Sequence, residues 1–443
     1  MDLIVTNGTV LTMDDTLGVI ENGAVGISRG EISWIGADRD CDKAGASRIF
    51  DARGGIIMPG LVNTFGNIGL RLFRPGALPE AGLSGNGETF PVLELNPETV
   101  RLGTSLACAE MMLSGTTCFH DRSRFAGDVA EAASRAGMRA LCCQEVEIRD
   151  TGETAGDNRD RILSEDIVRF LEKWQDHPLI RVAVGPKDLI RCPEETLRDL
   201  VRLCRDKGMV MGVPIDETIM DAGRFPSQRG KTALAYLEDL ELLGPWVLAC
   251  HGVGLGMDDR GRLARHGCAL VHTPLADLEK TSGVAPVPDI CARGVCVCLG
   301  TGGSGKCYGL DLFCTMDITA KVHKVLTGDP QAAGARTVVE MATIRGAQAL
   351  GLSGVTGSLT PGKRADLIVV STAGLHMQPM YNPFSHLVYA ASGHDVVLTV
   401  VDGTVVMADR TLTGMDLAQV MDRARTAGLF AFKGDDGEDF KSW

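Results

Sequence analysis

Between residues 58 and 358 the chain repeats one pattern eight times: a short apolar run closing in small or polar residues, then a helical stretch. The runs are GLVNTF, GTTCFHD, RALCCQEV, IRVAVGP, GMVMGVPIDE, WVLACHG, CALVHTP and VCVCLGTGG. Continuous apolar runs of this length suit strands covered on both faces. The segments between them, such as PETVRLGTSLACAEMMLSG and PEETLRDLVRLCRDKG, open on Pro-Glu and close on Gly, which are helix start and stop signals. Eight β/α units in a row predict an α/β fold, a (β/α)8 TIM barrel over 58–358, whose chemistry sits at the C-terminal ends of the strands. The competing architecture is a doubly wound open sheet. It lacks its phosphate turn here, because GTGGSGKC comes last in the series and has no P-loop spacing.

Both chain ends read differently. Residues 1–57 are short strands joined at Asn-Gly, Arg-Gly and Gly-Gly turns, and ADLIVVSTA and DVVLTVVDGTVVMADRTL resume that style near the end. They predict one small β-sandwich domain composed of 1–57 and 359–443, finishing in a polar, acidic tail with an aromatic anchor at Phe440 or Trp443. The net charge of −13, with no Lys/Arg run to offset it, argues against a nucleic-acid partner. No apolar stretch of membrane-spanning length occurs, so no membrane partner is expected. No basic leader precedes an apolar one, and the 14 cysteines then suit a reduced, cytoplasmic protein. Cys142, Cys143, Cys296 and Cys298 read as small buried hydrophobes within strands.

Seven ordered motifs carry a resemblance: MPGLVNT, SGTTCF, IDET, LACHGVGL, HTPLADLEKTSGVAPVP, VCLGTGG and GSLTPGKRADLIVV. Together they resemble the amidohydrolase superfamily, in the branch of cytosine, guanine and S-adenosylhomocysteine deaminases and triazine hydrolases. The resemblance spans nearly the whole chain and implies the same barrel and composite sandwich. It also implies one divalent metal, held by a His-x-His after the first strand, a His after the fifth and an Asp after the eighth. These positions fall on Phe65, Asn67, Pro214 and Gly302. None is an imidazole or a carboxylate, so the expectation is a site without metal and a chain without cofactor. Zinc or iron enters only if ligands have moved, to His251, His272, Asp216, Glu217 and His120.

The resemblance leaves an ionisable set at the strand ends. Glu217 stands where a proton-shuttling Glu belongs, with Asp216 beside it, and His251 where a His faces the substrate. His272 opens the seventh-strand motif, Lys187 ends the fourth strand, and His120 with Asp121 closes the second. Lys306 and Cys307 follow the eighth. The expected activity is hydrolysis of a C–N or similar bond in a small polar substrate, heterocycles included. Glu217 would be acid/base, His251 polariser, and Lys187 or Asp121 a charge partner. A catalytically silent binding or regulatory subunit and a metal hydrolase with relocated ligands are the alternatives. A homodimer follows from the resemblance alone. The loops at 74–97 and 122–127 would shape the substrate pocket.

Overall fold

The computed structural model describes residues 1–72, 95–147, 165–303 and 309–432. The 74–94 part of the predicted pocket loop, Lys306, Cys307 and the Phe440/Trp443 anchor lie outside the described residues.

Eight parallel strands follow one another in sequence order: β6 (Leu61–Asn63), β7 (Thr116–Ser123), β8 (Arg139–Val146), β9 (Ile180–Pro186), β10 (Met211–Ile215), β11 (Val247–His251), β12 (Ala269–His272) and β13 (Cys296–Leu299). These are the eight runs read from the sequence. The two ends of the sheet meet: the Thr64 amide donates to the Leu299 carbonyl at 3.0 Å, and the Gly302 amide to the Phe65 carbonyl at 3.1 Å. Side chains seal the same seam, with Asn63 Nδ2 donating to Thr301 Oγ1 at 2.9 Å and the Thr301 amide to Asn63 Oδ1 at 3.1 Å. The strands are buried almost throughout because helices cover the outer face and side chains fill the inside. The helices start and stop as their sequences say. Asn96 caps Pro97–Leu113 through a capping box with Thr99, and Gly208 closes Glu194–Lys207 at φ 62°, a conformation that costs a glycine nothing.

The second sheet draws on both chain ends, with β1 (Leu3–Leu11), β2 (Val19–Ser28), β3 (Glu31–Ala37), β4 (Arg48–Asp51) and β5 (Ile56–Pro59) joined to β14 (Leu367–Val370), β15 (Val396–Val401), β16 (Thr404–Ala408) and β17 (Thr411–Leu412). The junction is β5 against β14, antiparallel. A buried charge cluster ties this sheet to the barrel. The Arg139 guanidinium on β8 grips Asp366 at 2.6 and 3.1 Å and reaches Asp402 at 2.9 Å. Asp366 is 2% exposed, so its charge depends on that fork. No helix among the described residues is long and apolar enough to cross a membrane.

Candidate active site

The seam between β13 and β6 delivers Phe65 to the C-terminal mouth of the barrel, 6% exposed, with its ring edge-on to His251 at 5.3 Å between centroids. Its backbone is in the same close packing: a Cβ on Gly300 would lie 2.8 Å from the Phe65 amide nitrogen, so only glycine fits beside it. Asn67 follows in the left-handed region at φ 38°, and the short turn Ile68–Leu70 comes next.

His251 ends β11, paired in register with Ile215 of β10. Its φ of 74° is a left-handed conformation that costs a non-glycine residue energy and concentrates at functional positions. Nδ1 lies 2.9 Å from Asp277 Oδ1 and 3.0 Å from Thr273 Oγ1, while the Thr273 hydroxyl donates to Asp277 Oδ2 at 3.0 Å. Asp277 accepts only, so it fixes the hydrogen on Nδ1 and leaves Nε2 as the free base nitrogen. All three residues are buried. Asp277 and Thr273 were missed in the sequence. Asp277 lies on the short helix Pro274–Glu279, inside the HTPLADLEKTSGVAPVP motif, where nothing local distinguishes it from Glu279 as the carboxylate that meets His251.

Glu217 lies two residues past Ile215 and is held by Lys280 Nζ at 2.6 Å. Lys280, not Lys187, is therefore its ammonium partner. Lys187 instead donates to Glu147 at 2.7 Å, with about half of its side chain in water. The expected charge partnership with Asp216 or Glu217 fails because Lys187 follows Pro186 at the rim, outside the mouth. Asp216 sits at φ 47°, and a Cβ on Gly254 would lie 3.2 Å from its Oδ2, so the loop after β11 packs directly on it.

His120 and Asp121 do not form a dyad. Successive strand residues face opposite sides, and β7 obeys that rule. His120 Nδ1 meets the Thr64 carbonyl at 2.8 Å inside the barrel, and burial takes its pKa down to about 4. Asp121 points outward, where Oδ1 accepts from the amides of Ile68 and Gly69. Burial pushes its carboxyl up to about 7, against the lowering effect of those two bonds. Asp121 pins the turn behind Asn67 rather than serving as a charge partner at the mouth. His272 is also displaced from its expected place: it is fully buried against His323, Nε2 to Nε2 at 3.1 Å, and burial holds it well below the ordinary histidine range. One ring of that pair must donate and the other accept, and because His323 belongs to the helix Leu312–Thr327, His272 faces that helix.

Arg122, also missed, sits two residues after His120 on the same side of β7. Its guanidinium donates to Glu145 at 3.0 Å and to the Pro186 carbonyl at 3.1 Å, and only 5% of the side chain is exposed. The strand cysteines are inert by the same burial; the Cys250 thiol is pushed up to about 12.

The four inherited ligand positions do not converge as donors. Pro214 has no side-chain donor, and Gly302 stands at φ 81° where an added Cβ would lie 2.2 Å from the Ala276 Cβ. An aspartate at Gly302 is therefore excluded both by backbone conformation and by space. Among the described residues no group of three or more His, Cys, Asp or Glu could hold a metal ion. His251, His272, Asp216, Glu217 and His120 do not assemble into a relocated ligand set.

Residues 56–406 match the amidohydrolase family. A 5-methylthioadenosine/S-adenosylhomocysteine deaminase of Syntrophobacter fumaroxidans is 40% identical over 438 residues, covering 96% of this chain and 97% of its own. A 5'-deoxyadenosine deaminase of Methanosarcina acetivorans is 37% identical over 432 residues, covering 96% of this chain and 97% of its own. Among solved structures, an adenosine deaminase from Xanthomonas campestris with bound zinc superposes with a TM-score of 0.90 at 28% identity, over 97% of this chain and 98% of that one. The zinc complex of an atrazine chlorohydrolase from Arthrobacter aurescens shares the fold, with a TM-score of 0.85 at 21% identity over 96% and 100% of the two chains. These relatives correct the expectation of a chain without cofactor, since a bound zinc ion is what the solved adenosine deaminase carries. That support is at family level. The residues this chain places at the four positions do not fit the ion.

Proposed function

The chain is a hydrolase of the amidohydrolase family, and on that footing we propose that it deaminates an adenine nucleoside modified at the 5' position. Water adds to the ring carbon bearing the amino group, ammonia leaves, and the hypoxanthine nucleoside remains. The observation that carries the reading is the Asp277–His251 couple at the barrel mouth, with Nδ1 fixed at 2.9 Å and Nε2 left as a base. A base nitrogen at the C-terminal mouth suits the removal of a proton from an attacking water, and the 40% identity to a named deaminase over 96% of the chain supports the reading.

His251 Nε2 takes the proton of the water, and Asp277 stabilises the imidazolium that forms. Glu217, steadied by Lys280, exchanges protons with the ring nitrogen beside the reacting carbon and then with the departing amine. Phe65 closes one wall against the His251 ring, which limits bulk water at the reacting carbon.

The test incubates the purified full-length chain with 5'-methylthioadenosine, S-adenosylhomocysteine and 5'-deoxyadenosine. Ammonia and the hypoxanthine product are measured, and the zinc content of the same sample is determined. Turnover of at least one substrate is expected, reduced by a factor of about 100 to 10,000 in Glu217→Gln and in His251→Ala. Absence of product from all three, or equal rates in the variants, overturns the proposal.

A further inference from the structure

Two buried polar atoms inside the barrel have no partner among the described residues and play no part in the proton transfers above: His120 Nε2 and Arg122 Nε. They are neighbours. A Cβ placed on Gly212 would lie 3.2 Å from Arg122 Cδ and 3.5 Å from His120 Cε1, and each orphan nitrogen is bonded to one of those carbons. Both side chains therefore pack over Gly212 on β10, where a single methyl would already touch them. Unsatisfied buried polar atoms of this kind cost about 1–3 kcal/mol each and persist where something completes them.

The chemistry of the two atoms is opposite. The Thr64 carbonyl can only accept, so His120 Nδ1 carries the hydrogen and Nε2 presents a lone pair. Burial keeps that ring neutral at neutral pH, with a pKa of about 4. Arg122 Nε always carries a hydrogen and can only donate. Its Nη2 is already engaged by Glu145 and Pro186, which fixes the guanidinium and aims Nε. The pair thus offers one acceptor beside one donor in a fixed frame.

We infer that His120 Nε2 and Arg122 Nε together read the edge of the adenine base that carries the amino group and N7. That edge presents an N–H donor beside a ring-nitrogen acceptor, complementary to the pair. The inference rests on the adenine-nucleoside reading proposed above. It leaves the opposite side of the amino-bearing carbon, with its other ring nitrogen, to Glu217 and His251. It also separates substrate from product. After deamination an oxygen replaces the amino group, and its lone pairs face the lone pair of His120 Nε2, so the product is bound less well than the substrate.

The experiment measures binding by calorimetry in a Glu217→Gln background, where the ligands are not consumed. The probes are 5'-deoxyadenosine, its 7-deaza analogue and 5'-deoxyinosine. The 7-deaza analogue, which lacks the N7 acceptor, is expected to bind about tenfold or more weakly than the parent, and 5'-deoxyinosine likewise. In Arg122→Met the parent and the 7-deaza analogue bind alike. Gly212→Ala keeps both side chains but puts a methyl against Arg122 Cδ and His120 Cε1, and weakens the parent selectively. Equal binding of parent and 7-deaza analogue overturns the inference, leaves the deaminase reading standing, and assigns the two atoms to a trapped water. Failure of all three nucleosides to bind overturns the inference, and if 5'-methylthioadenosine and S-adenosylhomocysteine also fail to bind, the deaminase reading falls with it.

Discussion

Asp121 gives the sharpest quantitative handle on this structure. Its carboxyl is fully buried, with Oδ1 on the Ile68 and Gly69 amides and Oδ2 without a partner among the described residues. Burial pushes its pKa from an ordinary 3.8 up to about 7. A carboxyl raised in the folded state stays protonated there while the unfolded chain has already released its proton. Its contribution is therefore fully present below pH 3.8 and is lost as pH rises through about 7. The slope is about 1.4 kcal/mol per pH unit over that window, and the total is on the order of 4 kcal/mol. Asp121→Asn cannot ionise, and its amide oxygen still accepts from Ile68 and Gly69. The assay is denaturant unfolding of both proteins at half-unit steps from pH 4 to 8, reading the variant-minus-wild-type difference so that other titrating groups cancel. The variant is expected to gain steadily on the wild type up to about pH 7, then hold level. A difference that stays flat, or that falls as pH rises, refutes the reasoning: the two amide bonds would then outweigh burial, and the folded carboxyl would be an ordinary or depressed one.

The other expectations are more local. Asp277→Asn removes the charge that fixes His251 and supports its imidazolium; kcat on the adenine nucleoside should drop by about 100-fold while KM changes little, and an unchanged kcat would remove the couple from the mechanism. Arg139→Met strands the buried Asp366 carboxylate and should cost about 3–5 kcal/mol in unfolding free energy, whereas a loss under about 1 kcal/mol would show the cluster to be dispensable. Installing the family's ligands through Phe65→His, Asn67→His, Pro214→His and Gly302→Asp should leave the zinc content, by mass spectrometry, no higher than in the wild type, because of the Ala276 methyl and the left-handed backbone at Gly302. Adding Ala276→Gly should raise it. Stoichiometric zinc in the fourfold variant alone would show that the mouth relaxes around the new side chain.

The sequence by itself determined the architecture. Eight apolar runs in one order specify eight parallel strands, since a run of that length buries both faces only inside a helix-covered sheet. Helix limits were legible as well, because Asn96, Pro97 and Gly208 act on their own neighbouring backbone groups. What stayed illegible was which polar side chains meet. Lys187 and Lys280 are equivalent as residue types, and only the curvature of the barrel decides that Lys280 reaches Glu217 while Lys187 leans out to Glu147. His120 and Asp121 are adjacent in the chain, and the two-residue period of β7 sends them to opposite sides. Asp277 lies in a motif and Arg122 in a loop that the sequence pointed to, but nothing local says which groups they meet. They matter because a helix turn and a strand bring them to His251 and His120 across 26 residues in one case and one turn of the pleat in the other. Local patterns are set by contacts a few residues apart, and the chain states those openly. The protonation, pairing and facing of the mouth residues depend on distances across the barrel, and only the closed tertiary structure fixes them.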